Sequence, residues 1–276
     1  MSWIAFALAA TFLIGVGSIL EKLLISRYLP GSKTFLGWLA LSMIPHCIIF
    51  AFVFPVPDGT PFIRIIAMVG TGACWGMSGN LMYRALQRSE ASRVWPVLNV
   101  SPIYVAIMAV FLLGEILTGL QWGAIILAVF GTILISISFG SGENSKRFQI
   151  DKPVLGMLII ASLLMAVGQV IAKYGLEEVP PLSGFWLMRI GMFASMSLNF
   201  SPTVFRNMVT SLKSPKAMWL VGVAELLIFP AAILMLTFAT DLGPVSLVST
   251  LNATVPIWVF VLSTIFSIGR WNLLNE

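Results

Sequence analysis

Three ionisable side chains stand deep inside runs of oily residues: His46, Arg189 and Glu225. On insertion scales a charged group at the centre of a bilayer costs about 2.5 to 3.5 kcal/mol, so each one needs a reason to be there. An imidazole can carry a proton, a guanidinium can grip an anion, and a carboxylate can hold a cation. This is the chemistry of recognition and proton handling. The structural alternatives are an Arg189 and Glu225 ion pair holding two helices together, and a hydrogen-bonded core histidine. Trp75, Asn80, Trp95, Asn99, Gln169, Trp186 and Asn252 lie in similar runs and supply the aromatic faces and few polar groups that line small-molecule pockets.

Nothing in the sequence supplies a reaction centre. There is 1 histidine, no HExxH, no carboxylate pair at catalytic spacing and no glycine-rich phosphate loop, so neither an enzyme nor a metal or cofactor site is expected. A nucleotide-binding domain is also missing. The net charge of +5 comes without a basic cluster beside a nucleic-acid-reading motif, which excludes a nucleic-acid partner. Cys47 and Cys74 both sit in apolar runs and make no disulfide framework.

The candidate residues need helices to carry them. Of the 276 residues, 58% are hydrophobic and 10% charged, and the mean hydropathy is +0.97. A soluble domain carries about a quarter charged residues, so this chain belongs in a bilayer. A span needs roughly 20 apolar residues, and nine segments qualify: 3–25, 34–54, 62–86, 92–113, 118–139, 153–175, 183–201, 217–239 and 244–268. Each must be helical, because unpaired backbone groups in lipid are costly. The expected fold is an all-α polytopic bundle. At 1.5 Å per residue, His46, Arg189 and Glu225 come within roughly 10 Å of one another in depth.

Matches at a nearly constant offset divide the chain. "GSILEK" (17–22) meets "GQVIAK" (168–173) at 151, Asn99 meets Asn252 at 153, and Pro102 meets Pro256 at 154. The reading is two five-helix repeats, residues 1–140 and 153–276, joined by a loop over 141–152. Five helices is an odd number, so the second repeat enters the membrane inverted. Nine spans are present; a tenth would begin near Trp271, and it is missing or truncated. Pro102 and Pro256 cannot donate to the carbonyls of Leu98 and Asn252, so the two matched helices are expected to kink beside Asn99 and Asn252. Glu21, Lys22 and Lys173 lie near helix ends, where lysines snorkel to water; with the two prolines they form the gating candidates. Helix three carries Gly72 and Gly76 at GxxxG spacing, a packing signature.

Two five-helix halves, with "YRALQRSEASRVWPVLNVSPIYVAIMAVFLLGE" (83–115) closing on Gly-Glu, resemble the EamA-like members of the drug/metabolite transporter superfamily. The second half carries Arg270 where the first has Glu115. The resemblance implies a secondary transporter without ATP, commonly exporting small metabolites such as amino acids and related compounds through a central cavity by alternating access. The competing reading is a non-transporting scaffold or receptor-like bundle. Small solutes and lipid are the implied partners, and proton coupling and a homodimer are both compatible with this organisation. Loop parity places thirteen basic residues on one face, among them Lys22, Arg27, Lys33, Arg84, Arg88 and Arg93, against Arg64 and Lys173 on the other. The positive-inside rule then puts the N-terminus outside a cell membrane.

Overall fold

Helix ends fall where the sequence places its prolines and glycines. The computed structural model describes residues 2–89, 91–138 and 151–268. Its helices are α1 (Trp3–Arg27), α2 (Ser32–Val53), α3 (Phe62–Leu86), α4 (Ala91–Leu98), α5 (Ser101–Leu113), α6 (Gly119–Ser138), α7 (Lys152–Leu176), α8 (Pro181–Met196), α9 (Pro202–Ser211), α10 (Pro215–Val221), α11 (Phe229–Leu242), α12 (Val245–Asn252) and α13 (Val255–Ile268). No strand occurs among the described residues. The protein is an all-α polytopic bundle, with 7 helical segments among the described residues long and apolar enough to cross a membrane and a shorter apolar helix at Gly119–Thr132. The segment expected as a span over 183–201 forms α8, only 16 residues long. A 3-10 turn at Ser197–Asn199 and the Ser201 cap of α9 end it early. Arg270, the expected tenth helix near Trp271 and nearly all of the 141–152 loop lie outside the described residues.

The stretches carrying the matched pairs Asn99 with Pro102 and Asn252 with Pro256 both break their helices. The chain leaves α4 at Leu98 and resumes at Ser101, and it leaves α12 at Asn252 and resumes at Val255. The carbonyl of Leu98, which Pro102 cannot serve, accepts from Ser162 Oγ of α7 at 3.4 Å. A third proline has the same effect. Between α10 and α11 the chain forms a π-helical segment, Gly222–Ile228. Pro230 follows it and leaves the Leu226 carbonyl free, and that carbonyl faces His46 Nε2 at 3.2 Å. Single-turn π segments inside helices are often found at functional sites.

At the centre of the bundle α3 runs antiparallel to α7 and parallel to α8. Ser78 of α3 donates to the Ala161 carbonyl of α7 at 2.7 Å, and Asn80 to the Ser195 carbonyl of α8 at 2.8 Å. Gly72 and Gly76 let α3 approach α8 backbone to backbone. A Cβ on Gly72 would run into the Met188 carbonyl, and one on Gly191 into that of Val69. Neither obstacle is a flexible side-chain tip, so Gly72→Ala is expected to destabilise the bundle by about 1–3 kcal/mol. Thermal unfolding in detergent measures this, with Gly70→Ala, which meets open space, as the control.

Candidate functional site: a buried ionisable cluster

α1, α2, α3, α8 and the π segment converge on one group of ionisable side chains. Glu225 is 1% exposed and Arg189 2% exposed. They do not form an ion pair. Both carboxylate oxygens of Glu225, and Nε and Nη2 of Arg189, are buried with no hydrogen-bond partner, although the two charges lie within electrostatic reach. The expected structural pairing of α8 with the helix carrying Glu225 is therefore not made. Arg189 instead sits over the Phe185 ring, 5.1 Å from its centroid, and the His46 ring meets the same phenyl edge-on at 6.2 Å. A carbonyl only accepts, so the contact with Leu226 places the proton of a neutral His46 on Nε2. Nδ1 is left buried and unpartnered.

Two residues join the cluster that sequence spacing did not place there in these roles. Glu21, read as a gating candidate, lies within electrostatic reach of Glu225. Tyr83 of α3 lies within electrostatic reach of both acids and packs its ring against Phe35, with centroids 5.7 Å apart. Tyr83 is one turn beyond Asn80, and that spacing is the only signal the sequence held for it. Glu21 and Glu225 are 204 residues apart in sequence and no local pattern links them.

An apolar layer packs against the cluster through Tyr83. Leu24, Phe35, Leu36, Leu39, Met43 and Leu220 form this layer. Gln87 Nε2 donates to Ser32 Oγ at 2.7 Å. Gln87 lines two surface cavities, of about 400 and 520 Å³. Buried charged groups without partners are costly, and a solute of opposite charge would relieve that cost.

Residues 1–137 match the model of the EamA-like transporter family. Over these residues the chain is similar to the EamA-like transporter family. A solved structure described only as "Crystal structure of protein" superposes with a TM-score of 0.72, covering 97% of this chain and 89% of that one at 13% identity, a likeness of fold. No curated protein sequence matches the chain. The apolar helices make the protein an integral membrane protein, and the match over 1–137 suggests a membrane transporter.

In this EamA-like fold the other candidates fall into two sets. Trp75 Nε1, Asn99 Nδ2 and Asn252 Oδ1 are buried without partners. Trp75 lies against Gly168 of α7, next to the buried Gln169, and the two asparagines flank the helix breaks. Asn80, Trp186 and Lys173 already have partners. Asn80 bridges Ser195 and Asn199, and Trp186 Nε1 donates to the Phe54 carbonyl at 3.0 Å. Trp95 is 41% exposed. Lys22 is exposed near the end of α1.

Lys173 and Glu115 clamp the α11–α12 turn from opposite sides. Lys173 Nζ donates to the carbonyls of Thr240, Asp241 and Gly243 at 2.9, 2.9 and 3.1 Å, a cation on the exposed end of α11. Gly114 closes α5 in the left-handed conformation, φ 69°, and turns Glu115 toward α12. Its carboxylate accepts from Val245 N at 2.6 Å and from the amide and hydroxyl of Ser246. Acid at a helix start and base at a helix end is the favourable arrangement, and it gives the Gly-Glu pair a structural purpose. Glu115→Ala leaves buried amides unpaired and is expected to cost about 1–3 kcal/mol; Glu115→Gln, which keeps an acceptor, costs less. Thermal midpoints in detergent compare the two.

Proposed function

We propose that the protein is a secondary transporter that moves small organic metabolites through a path between two inverted repeats, residues 1–140 and 153–276, by alternating access. The observation that carries this reading is the unpaired buried charge: Arg189 and Glu225 lie within electrostatic reach of each other, and four of their polar atoms are unsatisfied. Unpaired buried charge is expensive, and a solute bringing opposite charge relieves the cost. Glu225 favours a cationic group and Arg189 an anionic one; His46, Trp75, Gln169, Asn99 and Asn252 are further contacts along the path. The matched breaks at Asn99 and Asn252 support the repeat. Flux runs without ATP, through a cell membrane in which the basic loops face the cytoplasm. Export of amino acids or related compounds is the direction and class the family implies.

Proteoliposomes loaded with a labelled metabolite panel test the reading. Flux that scales with inserted protein and falls in Arg189→Gln supports a transporter. Absence of flux across the panel favours the scaffold reading. A reporter fused near residue 145 checks orientation, and a cytoplasmic signal is expected.

A further inference from the structure

From the walls of the larger surface cavity we infer a second ligand site, apart from the buried cluster, that takes the phosphoryl group of a small water-soluble metabolite.

The cavity, about 520 Å³, lies between the first residues of α2 (31–34), Gln87 at the end of α3, and Thr203 and Asn207 of α9. Among the described residues its walls carry no acidic side chain. α2 starts at Ser32 behind the N-cap Gly31, and no side chain caps it. Its first amides therefore have no partner within the helix, and they carry the positive end of its dipole. The same turn holds a hydroxyl without a partner. Thr34 is 1% exposed and lines the cavity, and its hydroxyl makes no hydrogen bond to a described residue. Buried threonines elsewhere bond back to their own helix, as Thr71 does to the Ala67 carbonyl at 3.0 Å. Ser32 Oγ accepts from Gln87 Nε2 at 2.7 Å, which leaves its own hydrogen to donate. Lys33, exposed beside them, adds a full positive charge.

Amides, two hydroxyls and an ammonium, with no acid among them, are matched by an oxyanion. A phosphoryl group offers three strong acceptor oxygens and close to two negative charges at neutral pH, so it uses more of these donors than a carboxylate with two oxygens. The volume lies in the range of small-molecule pockets and leaves room for the organic part of the ligand.

α9 decides that this ligand comes from water. Val204 and Met208 pack at Gly37 of α2, and Ser211 Oγ accepts from Trp38 Nε1 at 2.9 Å. Phe205, Val209 and Leu212 are 63%, 47% and 54% exposed. At about 100° per residue these three point away from Thr203 and Asn207, on the other side of the helix. α9 has 10 residues, too few to span a bilayer, so it lies along the membrane surface with its apolar side in lipid. Its cavity side then faces away from lipid, and a phospholipid reaches the donors only by wrapping its chains around α9.

Inorganic phosphate and glycerol 3-phosphate are the probes, titrated calorimetrically into the full chain in phosphatidylcholine nanodiscs, with chloride holding the ionic strength constant. Both are expected to bind and to raise the thermal midpoint, because a ligand held by the folded chain stabilises it. Lys33→Gln and Thr34→Val are each expected to weaken binding about tenfold, roughly one hydrogen bond to a charged group. Thr34→Ser, which keeps the hydroxyl, and Lys216→Gln, which removes an exposed charge outside the cavity, are expected to stay within about twofold of wild type. A wild type that binds neither probe, or a Thr34→Val protein that binds as wild type does, overturns the inference. Equal losses in Lys216→Gln and Lys33→Gln also overturn it, since they reduce the effect to surface charge. Phosphatidylglycerol added to the nanodiscs separates a soluble ligand from a lipid headgroup, with cholesterol hemisuccinate supplying equal charge as the control. Equal affinity for glycerol 3-phosphate in the two supports the soluble ligand, and a loss with phosphatidylglycerol alone gives the site to a lipid and overturns it.

Discussion

Glu225→Gln is expected to lower solute flux about 100-fold with only a modest loss of stability. The carboxylate is the negative charge nearest Arg189 and the one that a bound cation meets. Removing one partner of a buried charged contact costs about 2–5 kcal/mol, and about 2.8 kcal/mol is a factor of 100. Stability falls by less than the flux: the amide removes the carboxylate's own desolvation cost but leaves the buried Arg189 guanidinium without its nearest anion. Initial rates normalised to inserted protein, set beside thermal midpoints in detergent, separate the two effects. A variant with both full flux and full pH dependence takes Glu225 out of the path. One whose flux falls only in step with its folded fraction assigns it a structural role. The reverse charge change, Arg189→Met, is expected to lower flux by a similar factor and also to lower stability, because it strands Glu225 without its nearest cation.

What the sequence made legible divides along local and non-local lines. Spans, breaks and glycine contacts are local: an apolar run has to be helical in lipid, and a proline removes a specific hydrogen bond. Thus 62–86 appears as α3 with the expected limits, and the matched prolines mark real interruptions. The length of α8 was not legible, because Ser197–Asn199 is apolar enough in context to pass for helix and its tightening depends on Asn199 bonding back to Asn80. Arg189 and Glu225 stood out by burial cost alone. Their failure to pair did not, since sequence gives depth along a helix but not the rotation that aims a side chain. The same holds for Glu21. Its neighbour Lys22 was its obvious partner in sequence, whereas on the helix successive residues point about 100° apart, and Glu21 turns inward to an acid on a distant segment. The π segment that carries Glu225 has no composition of its own; only Pro230 hinted at a disturbance there.

Restoring continuous helices at both breaks is expected to slow flux at least about tenfold without unfolding the protein. The double variant Pro102→Ala, Pro256→Ala returns an amide N–H at each position. In the first of these the new donor can reach the Leu98 carbonyl in competition with Ser162, which holds it at a long 3.4 Å. A proline inside a helix costs about 3 kcal/mol relative to alanine, so continuous helix gains against the broken form by an amount of that order at each site, less the tertiary contacts given up. If α4–α5 and α12–α13 bend about Asn99 and Asn252 as the path opens and closes, a bias toward straight helices traps one state, and a bias of about 1.4 kcal/mol in the rate-limiting step is tenfold. Stability is expected to hold or rise. Pro96→Ala serves as a control, since Pro96 is buried inside α4, three residues before the first break. Unchanged flux in the double variant would leave the breaks as packing features. Slowed flux with unchanged equilibrium binding of the transported solute assigns them to the motion, because a hinge alters how fast the site turns between faces and leaves the contacts of Glu21, Arg189 and Glu225 as they are.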